Sequence, residues 1–132
     1  KTSDILSLFD YHYWATGRIL AAAAPLSEEQ FLEPVGHGQD SPRTILAHCI
    51  DAEYGWRTLW QTGTVDGFET VTEDQFPTVA VLSQRWAQEE QATRVYLAGL
   101  SDDDLTGYVR YTAHGGVKRE RLLWHCLWHL VN

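Results

Sequence analysis

The chain has 132 residues, of which 44% are hydrophobic and 21% charged, and its formal net charge at pH 7 is −8. This length and composition predict a single domain over residues 1–132 with a core of ordinary size, and they exclude a disordered chain. The ten basic residues are scattered along an acidic chain, so a nucleic-acid partner is not expected.

The sequence carries no run of about 18 apolar residues and no signal peptide, so we expect a cytoplasmic protein without membrane contact.

Its two cysteines, Cys49 and Cys126, each directly follow a histidine. Two are too few for a disulfide framework. We interpret them as reduced core thiols, with soft metal ligands as the alternative.

The first predicted helix covers residues 3–24, because apolar or small side chains recur there at helical spacing and Pro25 ends the pattern. Those side chains are Ile5, Leu8, Phe9, Ala15, Ile19 and Ala23. The four residues from Ser27 to Gln30 have the form of a capping box and predict a short helical turn. His37 follows between two glycines and is interpreted as a loop residue.

The second predicted helix covers residues 42–61, because Ser41 can cap its free amides and Pro42 suits its first position. Its predicted buried stripe consists of Ile45, Cys49, Ala52, Trp56 and Leu59, and His48 lies beside this stripe. The third predicted helix covers residues 78–98. Its predicted outer residues are Gln84, Arg85, Glu89 and Glu90.

The four residues after Ser101 predict another capped turn, and residues 108–112 alternate like a short strand before the turn at His114, so we expect at most a small hairpin. The last helix is predicted to begin near Lys118 and to be cut short at Asn132, since no helix-ending signal follows. The four long helices predict an all-α fold, an antiparallel four-helix bundle.

Two histidines in the last predicted helix, His125 and His129, are the first candidates for chemistry. Residues four apart lie on one helix face about 6 Å apart along the axis, so both rings can reach one metal ion. His48 is the best candidate for a third ligand. A single inward histidine is more often a hydrogen-bonded core residue, but three are not easily satisfied without a shared metal.

Three stretches resemble the DinB family of small helical-bundle proteins, which shares a superfamily with YfiT-like metal-dependent hydrolases and thiol-dependent S-transferases. They are Phe9-Asp-Tyr-His-Tyr-Trp-Ala15, Ser41-Pro-Arg-Thr-Ile-Leu-Ala-His48 with Ala52-Glu53 and Trp56, and Leu123-Trp-His-Cys-Leu-Trp-His-Leu-Val-Asn132. The resemblance spans nearly the whole chain.

The resemblance implies a divalent metal, Zn²⁺ or Ni²⁺, held by one histidine on the second helix and two on the last, and His48 matches the first. In the family pattern the other two follow the asparagine that matches Asn132, as Asn-His-x-x-x-His-Arg. His129 and His125 would then lie one and two turns before them and only line the site. Two assignments therefore stay open: the His125 and His129 pair as ligands, or ligands beyond Asn132.

The activity implied by the resemblance is that of a metal-dependent hydrolase or a thiol S-transferase acting on a small thiol or electrophile. Near His48, Asp51 and Glu53 could orient a ligand or act as a base, although a solvated helix face is the simpler interpretation. The alternative is a noncatalytic, stress-associated bundle that binds a ligand or dimerises.

The resemblance and the six tryptophans predict a homodimer. We expect weak or no metal binding if the chain ends at Asn132, and one divalent ion at His48 if it continues.

Overall fold

The computed structural model describes residues 1–36 and 40–131, so His37 and Asn132 lie outside the described residues. The described part is mostly helical. Its six helices and two strands are α1 (Thr2–Ala23), α2 (Glu28–Leu32), α3 (Pro42–Thr62), α4 (Val79–Ala98), α5 (Asp102–Thr106), β1 (Tyr108–Thr112), β2 (Lys118–Leu122) and α6 (Leu123–Val131). Two short 3-10 turns cover Glu73–Gln75 and His114–Gly116.

Side-chain caps account for most of the helix starts. Ser41 caps α3 and Thr78 caps α4, each by accepting a hydrogen bond from the backbone N–H three residues further on. Ser27 and Ser101 form capping boxes that start α2 and α5. These caps satisfy amides that the first turn of a helix leaves without a partner, which is why the starts were predictable from local sequence.

The last helix begins at Leu123, five residues after the predicted start near Lys118. The intervening residues form β2, which pairs antiparallel with β1, and the connection between them uses positive φ angles at Gly115 and Gly116. The start near Lys118 was therefore wrong, because the backbone of residues 118–122 bonds to a strand ten residues earlier rather than to its own next turn. The described part of the chain is mostly helical, as expected, and the small hairpin expected around residues 108–112 is present as β1 and β2.

The four longer segments α1, α3, α4 and α6 surround the core: α1 contacts α4 and α6, and α3 also contacts α4 and α6. Two apolar clusters lie between them. The first apolar cluster is Ala23, Phe31, Leu46, Ala47, Ile50, Val71, Phe76, Val79, Leu82 and Trp86. The second apolar cluster is Ile5, Phe9, Tyr13, Trp60, Leu97, Leu105, Leu123, Cys126 and Leu127. From the order of these residues, α3 and α4 run from the first cluster to the second, and α1 runs the opposite way.

The core-facing side of α3 differs from the predicted stripe. Ile45 and Cys49 are exposed. The buried residues of the helix are Leu46, Ala47, Ile50, Glu53, Arg57, Leu59 and Trp60. The prediction followed apolar residues alone, whereas two charged residues occupy core positions here because they find partners on the neighbouring helices.

No helix in the described part of the chain combines the length and the hydropathy needed to cross a membrane.

Candidate functional site

A layer of buried polar side chains lies between the two apolar clusters. It consists of Tyr13 on α1, Glu53 and Arg57 on α3, and Glu89 and Thr93 on α4, none of which is more than 6% exposed. We call these five residues the buried polar layer. Because an unpaired charge away from water is strongly unfavourable, each charge in this layer requires hydrogen-bonded partners.

Glu53 is the centre of the α1 side of this layer. The Tyr13 hydroxyl donates a hydrogen bond to its Oε1, and the Thr93 hydroxyl donates a second to the same oxygen at 3.0 Å. The other oxygen, Oε2, lies 3.4 Å from Nε2 of His12. The interpretation of Glu53 as part of a solvated helix face was therefore wrong, because donors from α1 and α4 satisfy its carboxylate inside the core.

These contacts determine the charge state of Glu53. Burial raises the pKa of its carboxyl, but hydrogen bonds from His12, Tyr13 and Thr93 outweigh burial and leave the pKa below its ordinary value of 4.5. Burial and the neighbouring anion raise the pKa of the Tyr13 phenol well above its usual range. Glu53 is therefore an ionised acceptor and Tyr13 a protonated donor at neutral pH.

Arg57 and Glu89 form the other half of the layer. One guanidinium nitrogen of Arg57 donates to a carboxylate oxygen of Glu89, and the other donates to Thr93 Oγ1 at 2.9 Å and to the Glu89 carbonyl at 3.3 Å. Arg85, one turn before Glu89 on α4, donates to the second carboxylate oxygen at 2.7 Å. Thr93 thus links the ion pair to Glu53, and Glu89 is not the outer residue that the sequence predicted.

We expect Glu53→Gln to lower the free energy of unfolding at pH 7 by about 1–3 kcal/mol, because a neutral amide cannot accept from all three donors. A folded-state pKa below 4.5 means that the ionised carboxylate stabilises the fold above that pH and that this contribution is lost as pH falls through the lowered pKa. The difference in free energy of unfolding between the unsubstituted protein and Glu53→Gln, measured by urea titration, should therefore become smaller below pH 4.5. Glu33→Gln, at an exposed carboxylate, is the control. A difference that is constant from pH 7 to about pH 3 would contradict this assignment.

Asp51, the other predicted carboxylate, has a structural contact. Its Oδ1 accepts a hydrogen bond from the backbone N–H of Val71 at 2.7 Å, and Val71 belongs to the first apolar cluster. This bond attaches the connection between α3 and α4 to the middle of α3. Asp51 therefore anchors a loop and is not placed beside Glu53, which points into the core.

The three predicted metal ligands lie on the surface. His48 is exposed on α3, His125 is exposed with its ring 3.9 Å from that of Trp124, and His129 is exposed with its ring 5.6 Å from that of Trp56 in an edge-to-face contact. Trp56 follows His48 by eight residues, about 12 Å along α3. The three rings are therefore not brought together.

The same contacts give the direction of α6. Leu123 at its start belongs to the cluster that contains Trp60, and His129 near its end contacts Trp56, one turn earlier on α3. The helix therefore runs antiparallel to α3 and toward the level of His48. In the described part of the chain, no three His, Cys, Asp or Glu side chains are grouped so that they could hold a metal ion.

The cysteines next to these histidines differ in environment. Cys126 is buried in the second apolar cluster, as predicted for a core thiol, whereas Cys49 is exposed. Although Cys49 is exposed as a residue, neighbouring atoms partly shield its thiol from water, and this shielding and the Glu53 carboxylate raise the pKa of the thiol, so it stays protonated at neutral pH.

Sequence reasoning missed His12, Tyr13, Arg57, Glu89 and Thr93 as site residues. A signal was present in the sequence, because Tyr13, Glu53, Arg57, Glu89 and Thr93 all lie at helical spacing from apolar core positions on their own helices. A polar residue at such a position is typical of a buried network. Which partners satisfy it depends on helix packing, which no local pattern specifies.

The sequence was also compared with known proteins. A family model described as the DinB superfamily matches residues 11–132. The match includes His12, the whole buried polar layer, His48, and the His125 and His129 pair. A comparison with functionally curated proteins finds no match.

Proposed function

Since this chain belongs to the DinB superfamily, we propose that it is a divalent-metal-binding bundle protein that acts as a metal-dependent hydrolase or thiol S-transferase. The architecture proposed for it is a four-helix bundle in which α1 and α6 run antiparallel to α3 and α4, so the antiparallel arrangement expected from the sequence does not extend to the neighbouring pair α3 and α4. We place it in the cytoplasm, with a small thiol or electrophile as its substrate, and in a stress-associated role.

The observation that carries the proposal is the position of His48. Its side chain is exposed on α3 and makes no hydrogen bond or ion pair among the described residues, and α6 runs toward its level. An uncommitted imidazole on an ordered helix can ligate Zn²⁺ or Ni²⁺. The described residues supply no complete ligand set with it. The superfamily pattern, as the sequence resemblance indicated, has its other two histidines after the position of Asn132.

We assign His125 and His129 to the surface beside the site rather than to the metal. Each ring contacts a tryptophan, and the level of His129 on α3 is about 12 Å from His48. When bound, a divalent ion would lower the pKa of a water or thiol at an open position. The chain's own contribution is a rigid α3, which the buried polar layer attaches to α1 and α4.

The proposal is tested by equilibrium dialysis of Zn²⁺ against the native protein and three variants. We expect His48→Ala to abolish stoichiometric binding, and His125→Ala and His129→Ala to retain it. All three residues are exposed, so the variants should fold, and far-UV circular dichroism checks this. Loss of binding in His125→Ala and His129→Ala as well as in His48→Ala would support the alternative assignment, in which the pair supplies two ligands.

A second candidate function, a dimerising bundle without catalysis, is favoured by exposed aromatic side chains. Tyr11 and Trp14 on α1 are 61% and 57% exposed, and Trp124 and Trp128 on α6 are 41% and 53% exposed. Exposed apolar surface of this kind is typical of an interface. We propose a homodimer for either function and expect light scattering at tens of micromolar protein to give twice the chain mass. A monomer mass under these conditions would contradict it.

A further inference from the structure

Among the described residues that hydrogen-bond to the carboxylate of Glu53, His12 alone is partly exposed. Its side chain is 18% exposed, whereas that of Glu53 is 1% exposed. The Tyr13 and Thr93 hydroxyls, which donate to the other carboxylate oxygen, belong to buried residues. The contact with His12 therefore connects a buried anion to the solvent-facing side of α1.

The charge pairing in the core leaves Glu53 without a permanent cation. Arg57 pairs with Glu89, as does Arg85, and Arg94 pairs with Asp10 and Glu90 on the surface. Among the described residues, the only ion-pair partner of Glu53 is His12, whose charge depends on its protonation.

The orientation of the His12 ring is restricted on two sides. The ring of Phe9 lies 5.9 Å away and that of Tyr13 lies 5.0 Å away, centroid to centroid, both in edge-to-face geometry with interplanar angles of 66°. Nε2 faces Glu53 Oε2 at 3.4 Å. The ring is therefore held so that one nitrogen faces the carboxylate, while Nδ1 has no hydrogen-bond partner among the described residues.

The state of Glu53 determines which His12 nitrogen carries the proton. An ionised carboxylate can only accept, and the pKa of Glu53 is below its ordinary value, so Nε2 must donate. A neutral His12 then has its lone pair at Nδ1. This arrangement of an oriented imidazole and a carboxylate behind it is the one that general-base histidines require.

We propose that His12 is a general base that accepts a proton at Nδ1 from a bound water or small thiol, with Glu53 as the residue that positions its ring. In the step, the O–H or S–H bond of the bound molecule breaks and an N–H bond forms at Nδ1. The electron pair stays on oxygen or sulfur as the nucleophile, and the carboxylate of Glu53 balances the new imidazolium charge. The step needs no metal, so it stands independently of the role proposed for His48.

Nitrogen-15 NMR of the unsubstituted protein tests the tautomer without any variant. The chemical shifts of the two His12 ring nitrogens at pH 8 should show a protonated Nε2 and an unprotonated Nδ1. A ring protonated at Nδ1, or an equal mixture of tautomers, would overturn the proposal.

Acylation by diethyl pyrocarbonate tests the reactivity of the same nitrogen. At pH 7, peptide mapping should show His12 modified at least as fast as the exposed His125, which is not assigned to the metal, despite the lower exposure of His12. Glu53→Gln should slow the modification of His12 by about tenfold or more, as expected when an orienting carboxylate is lost, and leave that of His125 unchanged. Tyr13→Phe, which keeps the carboxylate, should retain most of the His12 reactivity. Equal rates at His12 in the unsubstituted protein and Glu53→Gln would refute the role of Glu53, and an unreactive His12 would refute the role of its ring.

Discussion

Replacing Glu89 by alanine should lower the free energy of unfolding by about 3–5 kcal/mol, because it leaves the buried guanidinium of Arg57 without its counter-charge. Glu89 is 5% exposed and accepts hydrogen bonds from both Arg57 and Arg85. Urea unfolding followed by circular dichroism measures the change. The size of the effect comes mainly from the charge that remains in the core, not from the energy of the lost contact.

Glu90→Ala is the matched control. Glu90 is the next residue of α4, its side chain is 37% exposed, and it pairs with Arg94 at 2.8 Å on the surface. An exposed pair of this kind contributes about 1 kcal/mol or less, so Glu90→Ala should have a small effect. Similar losses in Glu89→Ala and Glu90→Ala would show that the Arg57 pair is not buried as the structure describes.

Phe9→Ala should cost about 3–5 kcal/mol, the range typical of removing a fully buried aromatic side chain. Phe9 is 0% exposed in the second apolar cluster, where α1 packs against α4 and α6. Its removal leaves a cavity that rigid helices on several sides cannot close. The urea midpoint should fall while the slope of the transition stays the same, since the fold is unchanged.

Ile19→Ala on the same helix is the control for Phe9→Ala. Ile19 belongs to the same helically spaced set as Phe9 in the sequence, yet it is 53% exposed. Its replacement should change the free energy of unfolding by less than about 0.5 kcal/mol. A loss above about 2 kcal/mol would indicate that this face of α1 is covered in solution.

The contrast between Phe9 and Ile19 shows how far sequence reasoning reached. Helical spacing and caps located α1, α3 and α4 to within a residue or two at most of their ends, because these signals are local. Spacing alone did not give the orientation of each helix. Apolar residues are often exposed on protein surfaces, and charged residues such as Glu53 can be buried, so the apolar positions of a helix do not by themselves identify its buried face.

The site was only partly predictable for the same reason. Glu53 was identified as a candidate because it lies near His48 on α3, but its donors, Tyr13 and Thr93, come from helices 40 residues away in either direction. His12 entered the sequence analysis only as one residue of the first-helix stretch that resembles the family, and it was not considered as a site residue. His125 and His129 were chosen for metal binding by their spacing on one helix, with His48 added from another. Spacing along a helix does not show where along α3 the helix α6 packs.

The metal content of the native protein, purified without a nickel column and measured by inductively coupled plasma mass spectrometry, tests the central claim most directly. For a native chain that continues past Asn132, we predict about one Zn²⁺ or Ni²⁺ ion per chain in the unsubstituted protein and none in His48→Ala. Absence of both metals from the unsubstituted protein, or a full equivalent retained in His48→Ala, would contradict the assignment of His48 as a metal ligand.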